Sequence, residues 1–309
     1  MNNEHLPVLL EEVLQALDIK KDGIYFDGTF GRGGHAAAIL AELGTAGRLY
    51  AMDKDHEAIA TATQLANKDS RFHIIPGSFA MMAEKLKAQG LEGQIDAVLL
   101  DLGVSSPQLD NADRGFSFMK DGPLDMRMDN TAGLSAADWL ATAEENDISL
   151  VIRDLGEERF HRRIARAIIE YRENEQLQTT LQLANLIEHA VPRREKGKHP
   201  ATRSFQAIRI YINRELEDLR IGLQQAVAML KVGGRLVVIS FHSLEDRIVK
   251  RFMREQAEGV RLPLDLPVQN EQTGACLRLV GKAIKPGKKE IDRNVRARSA
   301  TLRVAEKIA

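Results

Sequence analysis

Along the first hundred residues, short apolar runs alternate with helix-like stretches. Ile24-Tyr25-Phe26 ends in Asp27 and a group of glycines, and His35–Leu43 then reads as a helix closed by Gly44. Arg48–Met52 ends in Asp53, and Asp55 is placed to cap an alanine-rich helix reaching about Asn67. Phe72–Ile75 precedes a helix over about Phe79–Gln89, and Ile95–Leu100 ends in Asp101. The runs are apolar throughout rather than alternating, as in strands covered on both faces. Strand–helix–strand repetition makes a parallel sheet with right-handed crossovers. The pattern predicts a doubly wound α/β fold.

From Leu109 to Arg214 no strand-like run occurs. Amphipathic stretches take over at Ala136–Ala143, Ile148–Leu155, Phe160–Tyr171 and Leu181–Ala190. The α/β pattern returns with a helix over Arg214–Leu230, a stop at Gly233-Gly234, a strand over Arg235–Ile239 and a helix from about Leu244 to Gln256. Two last strand-like segments, Cys276–Ile284 and Ala300–Val304, flank a basic, flexible-looking stretch, Lys285–Arg298. The expected organisation is an α/β domain formed by 1–108 and 215–309, interrupted by an all-helical insertion, 109–214.

Composition narrows the class. With 309 residues, 44% hydrophobic and 28% charged, the chain is that of a soluble protein with a real core. The single cysteine, Cys276, excludes an intrachain disulfide and a four-cysteine zinc site and fits a reducing cytosol. Glu4, Glu11 and Glu12 break the first turns, so neither a signal peptide nor a membrane span is expected, and the protein is expected in the cytoplasm without membrane contact. A net charge of −1 argues against a generic polyanion binder. Yet Arg159–Arg172 holds five arginines against Glu170, and Pro192–Arg214 holds five arginines and two lysines against Glu195. Such stretches are either a nucleic-acid face or the solvated faces of helices.

The loop Asp27–His35 lies at a strand-to-helix turn, where glycines let a cofactor approach the backbone. Gly31, Gly33 and Ala36 satisfy even the permissive dinucleotide spacing, and Asp53 falls 20 residues after Gly33, where an acid takes ribose hydroxyls. An adenosine-containing cofactor follows, with an NAD-dependent oxidoreductase as the alternative. Asp27 separates the two, because a carboxylate repels a pyrophosphate but favours the ammonium and sulfonium of S-adenosylmethionine. A closing strand pair after the fifth strand, similar to the reversed hairpin of class I methyltransferases, points the same way. Asp101–Gln108 follows the fourth strand at its carboxyl end, where open sheets bind ligands. Methylating an exocyclic amine needs alignment and an acceptor for the amine hydrogens, for which Asp101, or a loop carbonyl beside it, is the candidate. Carbon-5 methylation of a cytosine needs a thiolate, and Cys276 is remote in sequence, so the target is nitrogen or oxygen.

Asp27–His35, Leu99–Gln108, Asp113–Phe118 with Asp121–Met128, Gly156–Phe160, His199–Arg203, Ser240–Arg247 and Asn294–Ser299 together, in order, resemble the bacterial 16S rRNA cytosine-N4 methyltransferases. The resemblance implies a class I S-adenosylmethionine-dependent fold with a helical insertion. It implies cofactor contacts from Gly33, Gly34, His35, Asp53, Phe79, Asp101 and Gln108, with Asp101 also catalytic, and His242 and Ser243 beside the target base. It implies no metal, a substrate cytidine in the decoding region of the small ribosomal subunit, and a monomer or homodimer. Arg162, Arg163 and Arg166, and Arg203, Arg209 and Arg214 after a break, are expected to meet RNA phosphates. Phe116, Phe118 and Met126 either line a base pocket or pack, and Asp121–Asp129 reads as a salt-bridged loop in preference to a metal site. A methyltransferase for another base or for protein, and a non-catalytic RNA-binding factor, are the alternatives.

Overall fold

Strands β1 (Ile24–Asp27), β2 (Arg48–Asp53), β3 (Phe72–Pro76), β4 (Ile95–Asp101) and β5 (Leu230–Ser240) run parallel, while β6 (Leu277–Leu279) and β7 (Thr301–Lys307) run antiparallel to their neighbours. In this computed structural model, which describes residues 7–192, 197, 199–259 and 274–309, the sheet order is β3-β2-β1-β4-β5-β7-β6. A parallel sheet closed by one reversed strand between the fifth and the sixth is the class I methyltransferase arrangement.

The continuous apolar runs have a direct cause. Tyr25, Leu49, Ala51, Ala97, Leu99, Val237 and Ile239 face one layer, with α1 (Leu10–Leu17), α2 (Gly34–Glu42) and α3 (His56–Ala66). Their sequence neighbours Phe26, Met52, Val98, Leu100, Leu236 and Val238 face the other, with α4 (Met82–Lys87), α11 (Glu215–Met229) and α12 (Ser243–Glu258). Successive strand residues point to opposite faces, so a sheet covered on both sides needs apolar residues at every position.

Two sequence expectations change. The helix α11 runs straight into β5 at Leu230, so Gly233-Gly234 lies inside the strand rather than stopping a helix. Between the pairs Ile95–Leu230 and Ala97–Arg235 the register slips. Gly233 takes φ +81° in this bulge, and a Cβ on Gly234 would fall 2.9 Å from two carbonyl oxygens. The stretch Lys285–Arg298 is built rather than flexible: α13 (Lys288–Arg293) and a 3-10 turn over Val295–Ser299 order it around the buried Ala297.

The chain divides into two compact units, Met1–Gly103 with Leu216–Ala309, and Val104–Glu215. The second holds the short α5 (Ser106–Asp110), then α6 (Ala136–Thr142), α7 (Glu145–Gly156), α8 (His161–Arg172), α9 (Thr180–Ala190) and α10 (Thr202–Ile212). Its core includes Trp139, Ile152, Ile164, Ile168, Leu183, Ile187, Phe205 and Ile208. No helix among the described residues is long and apolar enough to cross a membrane.

Candidate active site at the carboxyl edge of the sheet

Three strands of the first unit, β1, β2 and β4, each end in an aspartate: Asp27, Asp53 and Asp101. The loop after β1 is tied to the neighbouring strands by backbone bonds, from Gly28 N–H to Leu99 O (2.9 Å) and from Phe30 N–H to Met52 O (3.1 Å). Gly31 N–H donates to Asp53 Oδ2 (2.8 Å), and Gly33 closes the turn on Phe30 O (2.8 Å). Gly33 sits at φ +76°, and a Cβ there would lie 2.6 Å from the Phe30 ring, so only glycine fits. Directly after it, α2 begins at Gly34, whose first-turn N–H groups have no acceptor within the helix.

Thr29 joins loop and strand, a role that its place among the glycines did not reveal. Its Oγ1 accepts from Asp101 N–H (2.7 Å), and its N–H donates to Asp27 Oδ1 (3.0 Å). Asp27 is 1% exposed. Burial pushes its pKa up to about 7, against the Thr29 backbone bond and with help from Asp53. Burial likewise raises Asp53. Asp101 stands well above the carboxylate range through burial, then through Asp27 and Glu245, and its Oδ1 is buried without a hydrogen-bond partner.

His35 is buried, and burial lowers its pKa to about 4. Its Nε2 lies 3.0 Å from Val8 O, so the neutral ring carries its proton there and turns bare Nδ1 toward Asp101 Oδ2, 3.6 Å away. A neutral imidazole beside a carboxyl is no ion pair. The side chain is thus occupied with the core, and what His35 offers a ligand is its backbone.

S-adenosylmethionine, the donor implied by the sequence, fits this donor set. Buried carboxyls that raise one another's pKa are stabilised as anions by a cation, whereas a pyrophosphate adds charge of the wrong sign. The unpartnered Asp101 Oδ1 and the loop glycines supply acceptor and space.

Phe79 opens a 3-10 turn after β3 (Phe79–Met81), and its ring packs where a side chain on Gly222 of α11 would stand. Asp218, also on α11, accepts from Ser78 Oγ (2.7 Å) and Lys54 Nζ (3.3 Å), bracing the turns that carry Phe79 and Asp53. After β5, His242 is the N-cap of α12: its Nδ1 accepts from Glu245 N–H (3.4 Å), while Glu245 Oε2 accepts from Phe241 N–H (2.8 Å). His242 Nε2 therefore carries the proton, lies 3.1 Å from Glu245 Oε1 but out of line with it, and has no hydrogen-bond partner. Ser243 is exposed at the helix start. Glu245, a buried acid that raises Asp101, was missed because its capping role masks it in the sequence.

Cys276 lies elsewhere. It precedes β6, whose Leu277 pairs with Lys307, next to Glu306, which pairs with Arg235 at the amino end of the parallel core. It is thus at the edge opposite Asp101. Burial raises its pKa, and its Sγ lies 2.9 Å from Gln256 Oε1, so it is no thiolate nucleophile.

In the second unit, Gln108 closes a capping box, its Oε1 accepting from Ser105 N–H (2.9 Å). On α8, Arg162, Arg163 and Arg166 are exposed and form no ion pair among the described residues. Of the expected row Arg203, Arg209 and Arg214, Arg209 is already paired within the fold. Arg209 forks onto Glu215 (2.8 and 2.8 Å), Arg203 caps Glu157 O (2.7 Å), and Arg214 sits at φ +52° where α10 ends. A helix wheel counts charges but does not show which ones tertiary neighbours neutralise. Arg193, Arg194, Lys196 and Lys198 lie outside the described residues. Phe116 and Met126 are buried, and Phe118 packs on Phe205 and His199. In the acidic loop Arg127 forks onto Asp125 (2.9 and 2.6 Å), and Asp121 accepts from Leu181 N–H (3.1 Å) at the start of α9.

Residues 2–308 match the model of the MraW methylase family. The chain is 60% identical over 306 residues to "Ribosomal RNA small subunit methyltransferase H" of Thioalkalivibrio sulfidiphilus, covering 99% of this chain and 98% of that one. Proteins of the same name from Nitrosococcus oceani and Alteromonas mediterranea are 60% and 58% identical, each over 99% of this chain and 98% of theirs.

Proposed function

The chain belongs to the MraW methylase family, with S-adenosylmethionine as methyl donor, and we propose that it methylates the N4 amine of a decoding-region cytidine in 16S rRNA. The relatives' names support an rRNA substrate. One observation carries the choice of an amine: Asp101 presents a buried, unpartnered carboxyl oxygen at the carboxyl end of β4.

The donor supplies an electrophilic methyl group whose sulfonium loses its charge on transfer. Asp101 Oδ1 accepts one N4 hydrogen, keeping the amine lone pair off the ring, and takes the proton that N4 sheds as it gains the methyl. A carboxyl held well above its ordinary pKa is the stronger base once ionised, and so better matched to that proton. The absence of a thiolate near this edge disfavours the covalent route to carbon 5. Gly33, Gly34 and His35 bind the donor through backbone, Asp53 takes the ribose, Phe79 borders the adenine and Gln108 completes the set. His242 Nε2–H and Ser243 face the target base.

The α/β part, 1–108 and 215–309, carries the chemistry, and 109–214 recognises RNA, with Arg162, Arg163 and Arg166 on phosphates. A base within a duplex must be unstacked before its amine reaches the methyl group. The enzyme works in the cytoplasm, where subunits are assembled. The test is labelled-methyl transfer to small subunits from cells lacking the activity, with the nucleotide identified by mass spectrometry. Label on N4 of one cytidine is expected; label on carbon 5 or on protein overturns the proposal.

A further inference from the structure

We propose that the cationic strip Lys282–Arg298 is a second phosphate-binding surface, on the unit that holds Asp101, for the RNA strand carrying the target base. The proposal rests on the rRNA reading above and adds a surface that the helical unit does not contain.

The charge is concentrated, and most of it forms no ion pair among the described residues. Lys282–Arg298 has seven cations and two acids, in a chain whose net charge is −1. All seven cations are exposed, and Lys282, Lys285, Lys288, Lys289, Arg293 and Arg298 make no ion pair among the described residues. Of the two acids, Glu290 is turned inward, its Oε1 accepting from Leu9 N–H at 2.7 Å. The outward face is left with Asp292 alone against the cations. Like charges crowded on a short segment repel one another, and a polyanion relieves that repulsion.

The strip is also held in place. Ile284 and Leu302 exchange two backbone bonds of 2.9 Å, Asn294 Oδ1 accepts from Arg296 N–H (3.1 Å), and Pro286, Ala297 and Ala300 are buried. An ordered backbone loses little further entropy when its side chains meet phosphates.

Its position follows from the sheet register. The strip leads into Thr301, which pairs with Ser240. Leu302 pairs with Ile239, and Ile239 pairs with Asp101. The strip therefore joins the sheet at the carboxyl edge, two strands from Asp101, roughly 10 Å at ordinary strand spacing. Glu290 reaches Leu9, whose neighbour Val8 accepts from His35. A nucleotide whose amine sits at Asp101 has its own and adjoining phosphates within reach of this strip, given the length of a lysine side chain.

The full-length triple variant Lys285→Gln/Lys288→Gln/Lys289→Gln tests this, titrated against a single-stranded RNA from about 0.05 to 0.3 M salt. Each lost phosphate contact lowers the slope of log K against log salt by about 0.7, so three lower it by about 2 and weaken binding up to about 100-fold at 0.1 M. S-adenosylmethionine affinity and thermal midpoint are expected unchanged, and the matching lysine-to-arginine triple is expected to keep the wild-type slope. An unchanged slope in the glutamine variant overturns the proposal, as it would if the strip served an acidic protein surface. Wild-type enzyme that leaves small subunits unmethylated overturns the rRNA reading instead, while the slope comparison still decides the strip.

Discussion

Asp27→Asn isolates the electrostatic cost of the cofactor loop. Asp27 is 1% exposed, and its carboxyl is held at about 7 against an ordinary 3.8. The unfolded chain releases this proton near pH 4, whereas the folded protein keeps it until about pH 7. Between those values the unfolded state binds fewer protons, so wild-type stability falls as pH rises through the window and is level above it. A shift of roughly 3 units corresponds to about 4 kcal/mol, an upper bound for the penalty present at pH 8 and absent at pH 4. Asparagine keeps the carbonyl that accepts from Thr29 N–H but never ionises, so the variant escapes the penalty. Urea unfolding followed by far-UV circular dichroism at pH 4, 6 and 8 measures this. The single tryptophan, Trp139, belongs to the other unit and is unsuitable as the signal. The variant is expected to match wild type at pH 4 and exceed it by 2–4 kcal/mol at pH 8, within the bound above. In return it loses affinity for S-adenosylmethionine. Wild-type affinity is expected to rise from pH 5.5 to 7, because the bound cation favours the ionised carboxyl, and the variant's is expected to be flatter. Parallel stability-against-pH curves for the two proteins would refute the reasoning.

Gly33→Ala places a Cβ 2.6 Å from the Phe30 ring at φ +76°. It is expected to lose about 1–3 kcal/mol of stability and at least tenfold in donor affinity by calorimetry. Wild-type values in both measurements would show that the turn tolerates a side chain. Asp101→Ala is expected to lower kcat at saturating donor by about 10²–10⁴, beyond any loss of donor affinity, and a retained rate removes Asp101 from the catalytic role. Arg162→Glu/Arg166→Glu is expected to weaken subunit binding and to make it less dependent on salt, with donor affinity unchanged; loss of donor binding instead would show that these arginines act on the fold.

The local grammar of the chain carried most of the fold. An apolar run ending in an aspartate marks Asp27, Asp53 and Asp101, because a strand covered on both faces must be apolar until it emerges at the ligand edge. Asp55 was legible as a cap because its side chain bonds within two residues, to Glu57 N–H. Periodicity failed where distant neighbours decide the backbone: the β5 bulge at Gly233-Gly234 is set by β4, and the strip Lys285–Arg298 is ordered by Leu302 and the buried Ala297.

The sequence by itself determined the element types, the acids at the strand ends, the loop glycines and the family motifs, all of which depend on spacing along the chain. Only the tertiary structure decided which of those groups are charged and which are free. Asp27 and Asp101 are raised by burial and then by a neighbouring acid (Asp53 for Asp27, Asp27 for Asp101), His35 is neutral because burial disfavours its cation, and Arg209 is spent on Glu215. Ionisation and hydrogen-bond partnership depend on what lies within a few ångströms in space, and residues as far apart as Thr29 and Asp101, or Leu9 and Glu290, meet only when the chain has folded.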